Sequence, residues 1–197
     1  MPALMQLSQA IDRLNEWVGR WTSWLVLAAV FISATNAVVR KAFNYSSNAF
    51  LEIQWYLFAA VFLLAAGYTM LRNEHVKIDV ILGRFSKRTQ IKVEIFGILV
   101  FLFPFCYSVV ELVMPLVIKA YGSGEMSSNA GGLIRWPVFA LVPVGFGLLA
   151  LQGLSELIKR VAFLNGLIDD PTLKKQTKTA EEELAEAIRA QSKGAAQ

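Results

Sequence analysis

The sequence FLEIQWYLFAAVFLLAAGYTMLRNEHVKIDV, residues 50–80, decides the fold. Glu52 and Gln54 stand at its start, and the chain then runs without a charge from Trp55 to Leu71. A helix of roughly 20 apolar residues crosses the ~30 Å hydrocarbon core of a bilayer. The stretch therefore predicts a transmembrane helix over residues 50–71, followed by a polar hairpin.

The composition of the whole chain is that of a membrane protein. Its 197 residues are 55% hydrophobic and only 17% charged, whereas soluble domains are about 25% charged. Three more apolar stretches cover about 21–39, 93–118 and 136–158. We predict an all-α membrane protein with four transmembrane helices in a domain of residues 21–160. The third stretch exceeds the bilayer core, so it must tilt, protrude, or kink at Pro104 or Pro115.

The two ends of the chain are expected to lie outside the spans. Residues 1–20 carry an apolar stripe with helical spacing, which predicts an amphipathic helix in the membrane interface. The stripe consists of Leu4, Leu7, Ile11, Leu14, Val18 and Trp21. A cleaved signal peptide is the alternative, but the basic start and small-residue cleavage site are missing. Residues 161–197 are read as a polar cytoplasmic tail, in which a short docking helix is the alternative.

The basic residues predict the orientation. With four spans, both termini and the hairpin after residue 71 lie on the same side. Only four of the 19 lysines and arginines then fall on the other side. These four are Arg40, Lys41, Lys119 and Arg135. Because cytoplasmic loops are enriched in Lys and Arg, we expect both termini in the cytoplasm of a bacterial inner membrane protein.

Several classes of function are excluded or disfavoured. One Cys and one His allow neither an internal disulfide, nor a cysteine metal cluster, nor a bis-histidine haem. No phosphate loop, nucleophile elbow, HExxH or carboxylate pair is present, so we expect neither an enzyme nor a cofactor. The net charge of +4 comes without a basic stripe interleaved with aromatics, so no nucleic-acid partner is expected.

Two acids within the spans, Glu52 and Glu111, are candidate functional residues, because charges are costly inside a membrane. We favour an ion pair of Glu52 with Arg40 or Lys41 that joins two helices. A transported-ion site and a contact with a partner subunit are the alternatives. Arg135 is the expected partner of Glu111.

The remaining candidates are read as structural. His75 and Asp79 have helical i, i+4 spacing, but a metal site lacks a third ligand, so a hairpin cap or interface hydrogen bond is favoured. Five tryptophans near the span ends are typical of interfacial anchors. They are Trp17, Trp21, Trp24, Trp55 and Trp136. Gly67, Gly145 and Gly147 lie on small-residue faces that favour close helix contact.

Four segments together resemble a known family. They are VVRKAF at 38–43, LEIQWYLFAAVFLLAAG at 51–67, RNEHVKIDV at 72–80, and SSNAGGLIRWPVFALVPVGFGLLALQGLSELIKR at 127–160. The chain over roughly residues 20–160 resembles the small, DctQ-type membrane subunit of tripartite ATP-independent periplasmic (TRAP) transporters. It looks closest to the extended branch grouped with mannitol/chloroaromatic-type systems.

The resemblance implies a non-enzymatic subunit of a sodium-coupled transporter. A large elevator-type membrane subunit would carry a small organic acid delivered by a periplasmic binding protein, and this chain would enlarge the fixed scaffold. The positions that match the family pattern are Arg40, Glu52, Trp55, His75 and Asp79. We expect these residues to have structural roles at a subunit or lipid interface. We expect the same of Glu111, Arg135 and Trp136. None of the eight is expected to bind substrate.

Two rival functions stay open. The first is a stand-alone proton-coupled transporter using Glu52 or Glu111, and the second is a membrane assembly protein without transport. Glu52 and His75 do not form one site in any of these readings, because the ~30 Å helix between them places them at opposite membrane faces.

Overall fold

The structure, a computed structural model, describes residues 2–44, 47–73 and 85–168. Four long helices account for most of these residues. They are α1 (Pro2–Phe43), α2 (Asn48–Leu71), α3 (Lys87–Ser123) and α4 (Trp136–Leu164). All four are long and apolar enough to cross a membrane, and the described ranges contain no strand beyond an isolated bridge. The predicted all-α membrane protein with four spans is confirmed.

Helix α1 differs from the predicted arrangement of an interfacial helix followed by a separate span. It is continuous over Pro2–Phe43, because no Gly-Pro or turn sequence interrupts the helical pattern. Its length of 42 residues corresponds to about 63 Å, about twice the bilayer core. The position of its first turns in the membrane interface stays a prediction.

The polar side of the first half of α1 faces the other helices. Ser8 and Asn15 are fully buried, whereas Leu7 and Leu14 of the apolar stripe are more than 40% exposed. Such an inverted distribution is expected where the surroundings are lipid, since an apolar side chain gains nothing from leaving hydrocarbon. Leu7 and Leu14 therefore face outward, whereas Ile11 of the same stripe is only 6% exposed.

A π-helical turn interrupts α3 at Ile98–Leu102. In this turn the amide of Phe103 donates to the carbonyl of Ile98, five residues back. Pro104 follows directly; it has no N–H and its ring clashes with a carbonyl four residues back in a regular helix. The wider turn relieves this clash. Of the two prolines predicted to perturb this span, Pro104 adjoins the irregular turn, and Pro115 lies in regular α-helix.

Helix α4 is the centre of the arrangement. It runs antiparallel to α1 and α3 and parallel to α2, while α1 and α2 also pack together. One end of the bundle holds the start of α1 and the end of α4, and we call it the inner end. The other holds residues 124–135, which connect α3 to α4, and we call it the outer end. Residues 169–197 of the predicted tail lie outside the described residues.

Glycines allow the backbones of α1, α2 and α4 to approach closely. A Cβ built on Gly67 would lie 2.2 Å from Asn15 Oδ1, and one on Gly145 would lie 2.7 Å from the carbonyl oxygen of Leu63. The predicted small-residue contacts at positions 67 and 145 are therefore confirmed. Gly147 has no neighbouring atom within 4 Å of its Cβ position, so it makes no close helix contact within the described chain, and a contact with another protein there stays a prediction.

Replacing Gly145 with Ala should lower the free energy of unfolding by about 1–3 kcal/mol, because the new methyl group overlaps the α2 backbone. Gly147→Ala is the matched control; it should be neutral or stabilising by up to ~1 kcal/mol, since alanine favours a helix. Thermal unfolding in mild detergent measures both. Equal midpoints for the two variants would contradict this account of α2–α4 packing.

Candidate functional site

The outer end contains a polar cluster that fastens residues 124–135 to α2. Asn48, Glu52 and Tyr56 are four residues apart, so they share one face of the first turns of α2. Asn48 Nδ2 donates to the carbonyl of Ala130 at 3.1 Å, and the Tyr56 hydroxyl to that of Ile134 at 3.1 Å. This face of α2 therefore holds the connection along its length.

Glu52 is the centre of this outer cluster. Its side chain is 4% exposed, and both carboxylate oxygens accept hydrogen bonds. The Leu133 amide donates to Oε2 at 2.7 Å, while Asn129 Nδ2 donates to Oε1 at 2.7 Å and the Ser127 hydroxyl to the same oxygen. Three donors to a buried carboxylate compensate for the loss of its hydration. Glu52 therefore fixes the shape of the outer connection.

The connection itself is an ordered hairpin. Gly124 ends α3 in the left-handed conformation at φ 60°, and the Glu125 amide donates to the carbonyl of Ala120. This is the pattern of a Schellman cap, in which glycine is favoured. The hairpin closes where the Ser127 amide donates to the Leu133 carbonyl at 2.9 Å.

Two predicted ion pairs were wrong. Within the described residues Glu52 has no ion pair with Arg40 or Lys41, because the three donors of the hairpin occupy it. Arg135 pairs with Glu125 at 2.7 Å across the hairpin and also lies over the ring of Phe139. Glu111 is exposed on α3 and does not contact Arg135. Glu125, ten residues before Arg135, was the nearer partner in sequence.

The other predicted residues are dispersed. Trp55 is 65% exposed near the outer end of α2, and Trp136 starts α4 with its ring 5.3 Å from that of Tyr121. Arg40 lies at the outer end of α1, in a cleft between α1 and α2. His75 and Asp79 lie outside the described residues, so their roles stay predictions.

A second polar cluster, at the inner end, was not predicted. It consists of a stripe on α4 (Gln152, Ser155, Glu156, Lys159 and Arg160), three residues of α1 (Ser8, Asp12 and Asn15), and Glu94 of α3. Arg160 and Glu156 are each 5% exposed or less. Charges buried to this degree are costly unless they are paired and hydrogen-bonded.

The charged members of the inner cluster form a chain across three helices. Asp12 of α1 lies 2.9 Å from Lys159 Nζ, which lies 2.6 Å from Glu156 of the same helix. Glu156 also pairs with Arg160, whose Nε donates to Glu94 of α3 at 2.8 Å. The carboxylates and cations alternate, so each charge faces an opposite one.

Neutral polar groups complete the inner cluster. Asp12 Oδ1 accepts from the Ser155 hydroxyl at 2.6 Å and from Gln152 Nε2 at 3.0 Å. Asn15 Nδ2 donates to Gln152 Oε1 at 3.0 Å. Asn15 Oδ1 is buried without a hydrogen-bond partner and lies so close to Gly67 that only a hydrogen atom fits between. The oxygen therefore faces a Cα–H group of this glycine.

The ion pair of Glu16 and Arg72, 3.1 Å apart, joins α1 to α2 beside the inner cluster. The sequence contained a signal for this whole region. Residues 8, 12 and 15 on α1, and residues 152, 155, 156, 159 and 160 on α4, repeat at three- and four-residue spacing. Matching polar stripes on two spans indicate a buried contact between them.

These features define a multi-pass α-helical membrane protein whose buried charges join its helices. The family model of the DctQ component of tripartite ATP-independent periplasmic transporters matches residues 29–163. This match covers more than half of the chain, and the protein belongs to that family of transporter components. No curated protein and no solved structure matches the chain. The family resemblance is confirmed, and the extended branch stays a prediction.

Replacing Glu52 with Ala should release the outer hairpin. The Leu133 amide loses a charged acceptor, and a bond of this kind contributes about 1.5–3 kcal/mol, or roughly 10- to 100-fold in exchange rate. Hydrogen exchange of the peptide covering residues 125–135 measures the change. Glu111→Ala removes an exposed acid and serves as the control. Equal exchange in both variants would show that Glu52 does not hold the hairpin.

Replacing Arg160 with Met should lower the free energy of unfolding by about 3–5 kcal/mol, because Glu156 and Glu94 lose their shared cation inside the protein. The double change Arg160→Met and Glu156→Gln should recover part of this loss. Arg20→Gln, at an exposed pair with Glu16, should cost less than ~1 kcal/mol. Unfolding by SDS titration compares the three, and equal losses for Arg160→Met and Arg20→Gln would contradict the account.

Proposed function

We propose that this protein is the small membrane subunit of a TRAP transporter and acts as a fixed scaffold for a large elevator-type subunit. The large subunit carries the substrate, a small organic acid, together with sodium ions. A periplasmic binding protein delivers the substrate to the outer end. The family of the chain supports a place in a tripartite system, and its own contacts support the scaffold role.

One observation supports the scaffold role most directly: the buried charges are paired or hydrogen-bonded within this chain. Glu52 accepts hydrogen bonds from the outer hairpin, and Glu156 and Arg160 form ion pairs in the inner cluster. The contacts of Glu52 with the hairpin, of Arg160 with Glu94 and of Lys159 with Asp12 join segments distant in sequence. Relative movement of these segments would therefore leave charges unpaired. A component against which another moves has to resist such movement.

The proposed orientation places the ordered outer hairpin in the periplasm, where a binding protein approaches. This surface has a defined shape before any partner binds, because the hairpin is hydrogen-bonded to Asn48, Glu52 and Tyr56 of α2. A preformed surface loses less conformational entropy on docking than a mobile loop.

The scaffold role is better supported than a stand-alone proton-coupled carrier. A transported proton needs a carboxylate that changes partners during the cycle, and both oxygens of Glu52 already accept hydrogen bonds from the hairpin. Glu111 is exposed on the outer half of α3, without a counter-ion among the described residues.

Co-purification and uptake test this proposal. The full-length chain in mild detergent should bring down a large polytopic membrane protein in fixed stoichiometry. Proteoliposomes should show sodium-dependent uptake only when both membrane subunits and the binding protein are present. Glu52→Gln should weaken assembly or uptake a fewfold, since it keeps the side-chain shape and loses the charge.

The matched control is Glu111→Gln, which should assemble and transport normally. Neither variant should change the ratio of sodium to substrate or the substrate chosen. Uptake by this chain alone, or an altered sodium ratio in Glu52→Gln, would contradict the scaffold role.

A further inference from the structure

An open cleft of about 460 Å³ lies between the end of α1 and the start of α2, at the outer end. It lies apart from the outer hairpin and from the inner cluster. Ser33, Asn36, Arg40 and Lys41 line it from α1, and Asn44 lines it just after the end of that helix. Leu51 and Gln54 line it from α2.

The α1 wall is a polar stripe in an otherwise apolar span. Residues 33, 36 and 40 recur every three or four positions, so they lie on one face of the helix. The stripe covers about 10 Å along the helix from Ser33 to Arg40. Each headgroup layer of a bilayer is about 5–8 Å thick, so the stripe crosses this layer and enters the edge of the hydrocarbon core.

The positive charge of the cleft is not neutralised by the described part of the chain. Arg40 and Lys41 are exposed, and no described carboxylate pairs with either of them. Two acids at the outer end are engaged elsewhere, Glu52 with the hairpin and Glu125 with Arg135. The cleft thus has two cations at its outer edge, with amide and hydroxyl groups nearer the membrane centre. This arrangement suits an anion that is attached to further polar groups.

We propose that this cleft binds the headgroup of an anionic phospholipid. The phosphate lies between Arg40 and Lys41, since a guanidinium and an ammonium supply the charge-assisted hydrogen bonds that phosphate prefers. Asn36 and Ser33, deeper in the stripe, donate to the ester or glycerol oxygens. The acyl chains continue along the exposed apolar surface of α1.

The position of the cleft favours a lipid over other anions. Both cations follow directly on an apolar span, so they lie at the depth of the lipid phosphates, where each Lys or Arg adds to attraction for anionic lipid. A polar stripe that extends below this level matches a molecule with phosphate, ester and acyl parts in that order. A soluble anion would use only the two cations and leave Ser33 and Asn36 without a partner.

Native mass spectrometry of the full-length chain in a neutral detergent tests the proposal. Phosphatidylglycerol should bind in a 1:1 complex, and phosphatidylcholine with the same acyl chains should bind more weakly. The double variant Arg40→Gln and Lys41→Gln should lose about thirtyfold in affinity for phosphatidylglycerol. Its affinity for phosphatidylcholine should not change.

The matched control is Arg13→Gln with Lys119→Gln, two exposed cations outside the cleft, which removes the same charge and should leave lipid affinity unchanged. Exchanging the two cations, Arg40→Lys with Lys41→Arg, should keep affinity within about threefold, since the charge is preserved. Equal losses in the glutamine double variant and its control would overturn the proposal.

A contact with the large subunit is the other occupant to be distinguished. If the Arg40 and Lys41 double variant bound phosphatidylglycerol normally but failed to co-purify the large subunit, the cleft would be a protein contact and the lipid proposal would be wrong. The lipid measurement uses this chain alone, so its failure is separate from any failure of the scaffold role.

Discussion

A charged side chain inside a membrane protein must find its partner within the protein, because hydrocarbon offers neither hydrogen bonds nor hydration. The chain of Asp12, Lys159, Glu156, Arg160 and Glu94 obeys this constraint at the junction of three helices. It joins α1 and α3 to the central α4, and the Glu16–Arg72 pair adds α2. The apolar surface of the helices contributes little to their association in lipid, so these polar contacts and the close glycine packing select the arrangement.

The two ends of the bundle use the same chemistry for different purposes. At the inner end opposite charges on three helices alternate in a chain of ion pairs, which restricts the angles between the helices. At the outer end Glu52 binds a hairpin of neutral donors, which fixes a surface that faces solvent. The cleft beside Arg40 and Lys41 retains positive charge because its carboxylate neighbours are engaged elsewhere. A protein built in this way resists relative movement of its own helices.

The sequence alone was sufficient for the spans, because the apolar runs are long and the charges between them are few. It also indicated the close approaches at Gly67 and Gly145. It did not reveal the inner cluster, because Asp12 and Asn15 look like the water-facing side of an amphipathic helix until α4 is placed beside them. The partners of Glu52 and Arg135 were also assigned wrongly. Arg40 and Lys41 precede Glu52 in sequence, but the connection after the Schellman cap at Gly124 brings neutral donors back over α2 instead. The same connection places Glu125 beside Arg135.

The central claim is that α1, α3 and α4 form one rigid unit. The most direct test places spin labels at Arg13→Cys on α1 and Arg88→Cys on α3, both exposed, after Cys106→Ala removes the native thiol. Electron–electron distances are then measured in the assembled transporter with and without sodium, substrate and binding protein. A rigid unit gives one narrow distance distribution that does not change between these conditions. A second population, or a distance that shifts with substrate, would show that the helices move and would contradict the claim.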